Sequence, residues 1–125
     1  MITGSRSLDD DDSEKIVFDT LDEIHQTHPI HTLVSGHAKG IDNFAEKWAA
    51  AREIAVETHI PDWKQYKRAA AVIRNKEMVH SSDKVVAFWD GISKGTKQAL
   101  QFAARENKLL KTIRIYDARN KIKVA

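Results

Sequence analysis

Five short strand-like runs, at residues 1–3, 31–35, 56–60, 84–88 and 112–116, alternate with stretches whose apolar residues recur at helical spacing. This alternation leaves few architectures open, because each crossover between parallel strands must carry a helix on one face of the sheet. The run "KVVAF" at 84–88 is apolar at almost every position, the mark of a strand covered on both faces. The expected fold is a single three-layer α/β domain over residues 1–125, with a mostly parallel sheet of about five strands.

The helices have readable signals. Asp12 or Ser13 is an expected N-cap, and Ile16, Val17, Leu21 and Ile24 recur at helical spacing until Pro29. Ile41, Phe44, Ala45, Trp48 and Ala49 form a second stripe that predicts a helix ending near Ala55, with Trp48 in the core. Residues 62–81 read as helical and basic, with Lys64, Lys67, Arg68, Arg74 and Lys76 beside Tyr66, Ala70 and Ile73. Thr96 is the expected cap of a helix carrying Ala99, Leu100, Ala103 and Ala104, and "KIKV" at 121–124 reads as a short edge strand or a tail.

The composition excludes several chemistries. Without cysteine there are no disulfides, thiolate metal sites or thiol nucleophiles, which fits a reducing interior. The N-terminal stretch is acidic and no apolar run is long enough for a signal core or a bilayer span, so a cytoplasmic protein with no membrane partner is expected. His25, His28 and His31 are spaced like metal ligands, but Pro29 breaks the helix that would align them, and no metal site is expected. The "DDDD" run at 9–12 reads as a cluster at a helix start.

All five glycines fall at three strand exits: "TGSRS" after the first strand, "SGHAKG" after the second and "DGISKGT" after the fourth. Each exit offers a glycine for close backbone approach, a hydroxyl, and a basic residue, namely Arg6, Lys39 or Lys94. Right-handed crossovers bring these exits to one edge of the sheet, where open α/β sheets bind ligands. An anion cradled by backbone N–H groups and helix N-termini is the chemistry such exits suit, the helix beginning near Ile41 being the first candidate. Neither G-x-G-x-x-G nor G-x-x-x-x-G-K-[ST] is present, which disfavours a standard dehydrogenase or P-loop NTPase.

The segments "GSRS", "VSGHAKGID", "DW", "IRN" with Met78, and "FWDGISKGT", in this order and spacing, resemble the YspA-like branch of the SLOG superfamily. The likeness runs from Thr3 to Asp117 and implies a Rossmann-like domain that binds nucleotides or nucleotide-derived ligands, such as ADP-ribose or NAD fragments. Its relatives include the LOG phosphoribohydrolases and the single-stranded DNA binder DprA. The hydrolases carry P-G-G-x-G-T-x-x-E, whereas this chain has Ala99 at the place of the glutamate. The resembling pattern Y-G-x-x-A-G-P-I-R-N here reads "YKRAAAVIRN", with Lys67, Ala71 and Val72 at its Gly, Gly and Pro positions, so one continuous helix becomes the expectation there.

The expected function is therefore binding of a nucleotide-type small molecule by a sensor or sequestering module. No cofactor is required for it, and a homodimer is left open because dimers are common among the relatives. The alternatives are N-glycosidic hydrolysis of the LOG kind and single-stranded DNA binding of the DprA kind. The expected ligand-binding residues are Gly4, Ser5, Arg6, Ser35, Gly36, Lys39, Gly40, Asp42, Arg74, Asn75, Trp89, Asp90, Gly91, Gly95 and Thr96. Arg74 suits a phosphate and Asn75 a ribose or base edge, while Trp89 suits a base. Asp42 suits ribose hydroxyls or the work of a base and Asp90 suits a hydroxyl, and these two acids within the exits are the only candidates for acid–base work.

Overall fold

The computed structural model describes residues 1–116, so the edge strand or tail expected at 121–124 lies outside the described residues. Strand β1 (Ile2–Gly4) leads into helix α1 (Asp11–Thr27), and strand β2 (Thr32–Ser35) into α2 (Ile41–Ala51). Strand β3 (Ala55–Thr58) leads into the short α3 (Trp63–Tyr66) and then α4 (Ala70–Ser81). Strand β4 (Val85–Trp89), helix α5 (Lys94–Arg105) and strand β5 (Leu109–Arg114) complete the order.

Every strand pairing is parallel. One ladder runs β1-β4-β5 and a second pairs β2 with β3; β1 packs beside β2, so the spatial order is β3-β2-β1-β4-β5 with ladder bonding interrupted between β2 and β1. Successive side chains of a strand point to opposite faces, and two apolar clusters result. Ile2, Leu33, Val86 and Phe88 face α1 and α2, where Val17, Leu21, Phe44 and the fully buried Trp48 complete the cluster. Met1, Val34 and Val85 face α4 and α5, where they meet Met78, Val79, Ala99 and Ala103. Helices on both faces make the expected three-layer, Rossmann-like α/β fold, and they explain why β4 is apolar throughout.

Several element ends differ from the expectation. Helix α1 is capped by Asp10, not Asp12 or Ser13: the Ser13 N–H donates to the Asp10 carboxylate at 2.9 Å, and Asp11, Asp12 and Glu14 occupy the first turn, where the helix dipole favours acids. Helix α2 stops at Ala51 rather than near Ala55, because Ile54 N–H bonds back to the Ala49 carbonyl and Glu53 turns the chain at φ +57° into β3. Helix α5 is capped by Ser93 instead of Thr96, which lies inside the first turn with its N–H on the Ser93 hydroxyl.

The stretch 62–81 is not one helix. It breaks at Lys67, whose φ of 52° and ψ of −126° belong to glycine, and a 3-10 turn over Lys67–Ala69 separates α3 from α4. The backbone thus keeps a glycine-type corner at a position where the sequence holds lysine. A side chain in that region costs about 1–3 kcal/mol. Lys67→Gly relieves the strain, less roughly 0.5–1 kcal/mol of added unfolded-state entropy. The variant is expected to gain about 1 kcal/mol in a urea melt; a loss of stability would mean that the corner is not strained.

Candidate functional site

All strands run parallel, but the sense in which successive strands are laid down reverses between β1 and β4, and open α/β sheets offer a crevice at the carboxyl ends of the strands where that happens. A cleft of about 390 Å³ lies there. The β1 exit supplies Gly4, Ser5, Arg6 and Ser7; the β2 exit and α2 supply Ala38 and Asp42; α4 supplies Arg74, Asn75 and Met78; the β4 exit and α5 supply Asp90, Ile92, Ser93, Gly95 and Thr96. The three glycine-rich exits converge, and α4 forms the fourth wall.

Two carboxylates face this cleft, and their surroundings give them different roles. Asp90 Oδ1 accepts the backbone N–H groups of Ile92 and Ser93, both at 2.8 Å, and Oδ2 accepts the Ser7 hydroxyl at 2.9 Å. Its own N–H donates to the Ser5 hydroxyl at 3.1 Å. Burial pushes the Asp90 carboxyl up, but the hydrogen bonds from Ser93, Ile92 and Ser7 outweigh it and hold the group below the usual carboxylate range. Asp90 is a clamp between the β1 and β4 exits, with its oxygens engaged.

Asp42 stands in the first turn of α2 and is only 6% exposed. Its Oδ2 accepts the Ala38 N–H at 3.2 Å, while Oδ1 is buried and has no hydrogen-bond partner, alone among the buried side-chain polar atoms of the described residues. Burial, with the nearby Glu46 charge, pushes this carboxyl up to about 6 against the Ala38 hydrogen bond and the pull of Arg74 and Arg6.

Arg74 is buried and holds the exits in place. Its Nε donates to Asn75 Oδ1 at 2.9 Å, and Nη1 donates to the Gly36 carbonyl at 2.8 Å and the His59 carbonyl at 3.3 Å. Burial lowers its pKa from the usual arginine range, opposed by Asp42. The corner at Lys67 starts α4 at Ala70 and so sets the turn from which Arg74 and Asn75 reach the cleft. Helix α5 aims its first turn, with Gly95 and Thr96, into the same space; by helix geometry the Gly95 N–H has no intrahelical acceptor.

Of the residues expected at the site, Gly4, Ser5, Arg6, Asp42, Arg74, Asn75, Asp90, Gly95 and Thr96 line the cleft. Ser35, Gly36, Lys39, Gly40, Trp89 and Gly91 lie outside its lining. The Ser35 hydroxyl donates to Glu46 at 3.2 Å and accepts the His37 N–H at 3.1 Å. The exposed Lys39 ammonium stands 3.8 Å from an Asp9 oxygen, and Trp89 Nε1 donates to the Ser93 carbonyl at 3.0 Å. Gly40 caps α2 at φ +81°, against the carbonyls of Arg6 and Ser5. The α2 start, expected to meet an anion, presents the Asp42 carboxylate instead, and α5 is the helix whose positive end is open to the cleft.

Sequence reasoning missed Ser7, Ala38 and Ser93 as individual residues. Ser7 and Ser93 were legible as hydroxyls in the exits, whereas the contribution of Ala38 is a backbone N–H that no side-chain pattern signals. Among the described residues no group of acids and histidines could hold a metal ion, and no helix is long and apolar enough to cross a membrane.

The model of the YspA, cpYpsA-related SLOG family matches residues 1–66, just over half of the chain. A curated relative, the Gene 61 protein of Mycobacterium phage D29, is 35% identical over 112 residues, which cover 84% of this chain and 87% of that protein. No solved structure matches the chain. The three exits, the cleft they enclose at the sheet's carboxyl edge and these two likenesses agree, and the chain belongs to the YspA, cpYpsA-related SLOG family.

Proposed function

We propose that this protein binds a nucleotide or nucleotide-derived ligand in the cleft between the β1 and β4 exits, as a sensor or sequestering module. The observation that carries this reading is Gly95. Every other glycine of the chain has a reason in the fold: a Cβ on Gly4, Gly36 or Gly40 would press into Ile41, Arg74 or the Arg6 carbonyl, and Gly91 sits at φ +83° against the Arg114 guanidinium. A Cβ on Gly95 would meet nothing within 4 Å. A glycine in a helix costs roughly 0.5–1 kcal/mol relative to alanine. One that is kept in the first turn, with open space in front of it and an orphan N–H, is suited to a ligand group that touches backbone.

The phosphate of such a ligand meets the α5 N-terminus, with Arg6 as a counter-charge in the same cleft. Ile92 lines the cleft although it is 61% exposed, and gives the flat face of a base an apolar surface. Binding is favoured over N-glycosidic hydrolysis by the surroundings of Ala99. The residue at the place of the hydrolase glutamate is fully buried and packs in the α4–α5 cluster with Met78 and Val79.

Calorimetric titration with nucleoside monophosphates, NAD and ADP-ribose tests the reading, with Gly95→Leu as the decisive variant. Leucine suits a helix and its Cβ would meet no protein atom within 4 Å, so the thermal midpoint is expected to hold or rise, while affinity falls at least about tenfold because the side chain occupies the ligand's approach. A Gly95→Leu protein that binds every ligand as well as the parent would overturn this placement. Oligonucleotide binding that persists at physiological salt, and that mononucleotides do not compete, would favour a nucleic-acid groove instead.

A further inference from the structure

We infer that Asp42 reads a ribose hydroxyl, so that the cleft selects ribonucleotide-type ligands over their deoxy counterparts. The inference rests on the nucleotide reading above and adds the identity of the sugar to it.

Asp42 lines the cleft, and its Oδ1 is buried just behind that surface and receives no hydrogen bond from the described residues. Its surroundings show why the protein itself supplies none. The Ala38 N–H is committed to Oδ2. Arg74 Nη1 is committed to two carbonyls, and its Nε to Asn75. Gly36 keeps the space between guanidinium and carboxylate clear, since a Cβ there would stand 2.7 Å from Arg74 Nη1 and 3.1 Å from Asp42 Oδ2. Oδ2 is thereby fixed and Oδ1 held in place as an acceptor awaiting a donor.

A ligand that fills the cleft must give that oxygen a hydrogen bond or leave a desolvated carboxylate unpaired. A phosphate oxygen cannot donate, and at close range its charge repels the carboxylate. The anionic part of a ligand therefore belongs at the α5 N-terminus, away from the carboxylate, and the part that meets Asp42 must be a neutral hydrogen-bond donor. A ribose carries neutral hydroxyl donors a few bonds from its 5′-phosphate, which matches a cleft lined both by the N-terminus of α5 and by a residue with a lone buried acceptor. Sites built to bond a substrate hydroxyl reject the analogue that lacks it far more strongly than apolar pockets reject a missing methylene.

The test is calorimetric titration of the whole protein at pH 8 with AMP, 2′-deoxy-AMP, 3′-deoxy-AMP and 2′,3′-dideoxy-AMP. AMP is expected to bind about thirtyfold or more tightly than the dideoxy form, with most of the loss reproduced by one of the two monodeoxy forms. In Asp42→Ala the ratio is expected to fall to within about threefold, because no carboxylate is left unpaired. Equal binding of all four by the parent protein overturns the inference while leaving the nucleotide reading intact. Strong discrimination that survives in Asp42→Ala overturns the assignment to Asp42. Should that variant fail to fold, Asp42→Leu, of similar size and without an acceptor, takes its place, and discrimination that survives in it overturns the assignment as well. Binding of none of the four overturns the inference, and with it the nucleotide reading if NAD and ADP-ribose also fail to bind.

Discussion

Gly4→Ala is expected to lose about 3 kcal/mol of stability, and Gly4→Val more, read as a fall in the urea midpoint at unchanged slope. Gly4 ends β1 where α2 and β4 press on it from two sides. A Cβ there would stand 2.5 Å from Ile41 Cγ1 and 2.6 Å from the Phe88 carbonyl oxygen. Neither neighbour can give way cheaply, because Ile41 is fully buried at the start of α2, and Phe88 is paired with Gly4 in the sheet. Interiors are packed too densely to absorb an extra methyl beside backbone. The contrast with Gly95→Leu is the sharper check: two glycines from two strand exits, one expected to break the fold and the other to spare it while blocking the cleft. An alanine at position 4 that leaves the midpoint in place would show that the β1–α2 approach is looser than the structure has it.

Asp42→Asn is expected to stabilise the protein above neutral pH by about 3 kcal/mol, from the two-unit rise of the Asp42 carboxyl at 1.36 kcal/mol per unit. The pKa of Asp42 lies at about 6 in the folded chain against 3.8 for the ordinary side chain, with burial the largest cause. Between these values the folded protein keeps a proton that the unfolded chain has released. The contribution of this group to stability is therefore fully present below about pH 4 and is lost as pH rises through 6. The groups that bear on the carboxyl are Glu46, which repels it, and Arg74 and Arg6, which attract it. Urea melts of both proteins from pH 4 to pH 8 should show the difference growing from near zero at the acid end to its full value at the alkaline end. A difference that does not vary with pH would mean that Asp42 titrates normally.

The order of strands and helices was legible because periodicity is local: a strand alternates every two residues and an amphipathic helix about every 3.6, and both patterns lie in adjacent letters. The apolar run at β4 announced a strand covered on both faces, and the stripe through Ile41, Phe44 and Trp48 announced the face of α2 that packs on the core. The convergence of the exits followed from the handedness of crossovers, which is nearly invariant. The family was legible too, from "GSRS" and "SGHAKGID" onward.

The sequence did not distinguish one glycine from another. Gly4, Gly36 and Gly95 look alike as letters, and only the packing tells which faces Ile41, which makes room for Arg74, and which faces open space. Nor did it separate Asp42 from Asp90, two acids in glycine-rich exits. Their difference lies in partners far along the chain: Ser5 and Ser7 reach Asp90 across more than eighty residues, whereas Asp42 meets one N–H four residues away and is left with a bare oxygen. The corner at Lys67 went the same way: lysine favours continuing a helix, yet the chain turns there at φ 52°, as a glycine would. Local propensity differs by tenths of a kcal/mol per residue, and a packed neighbour decides by several. The elements and their order were thus written in the sequence, while the roles of single residues at the cleft were decided by contacts that only folding brings together.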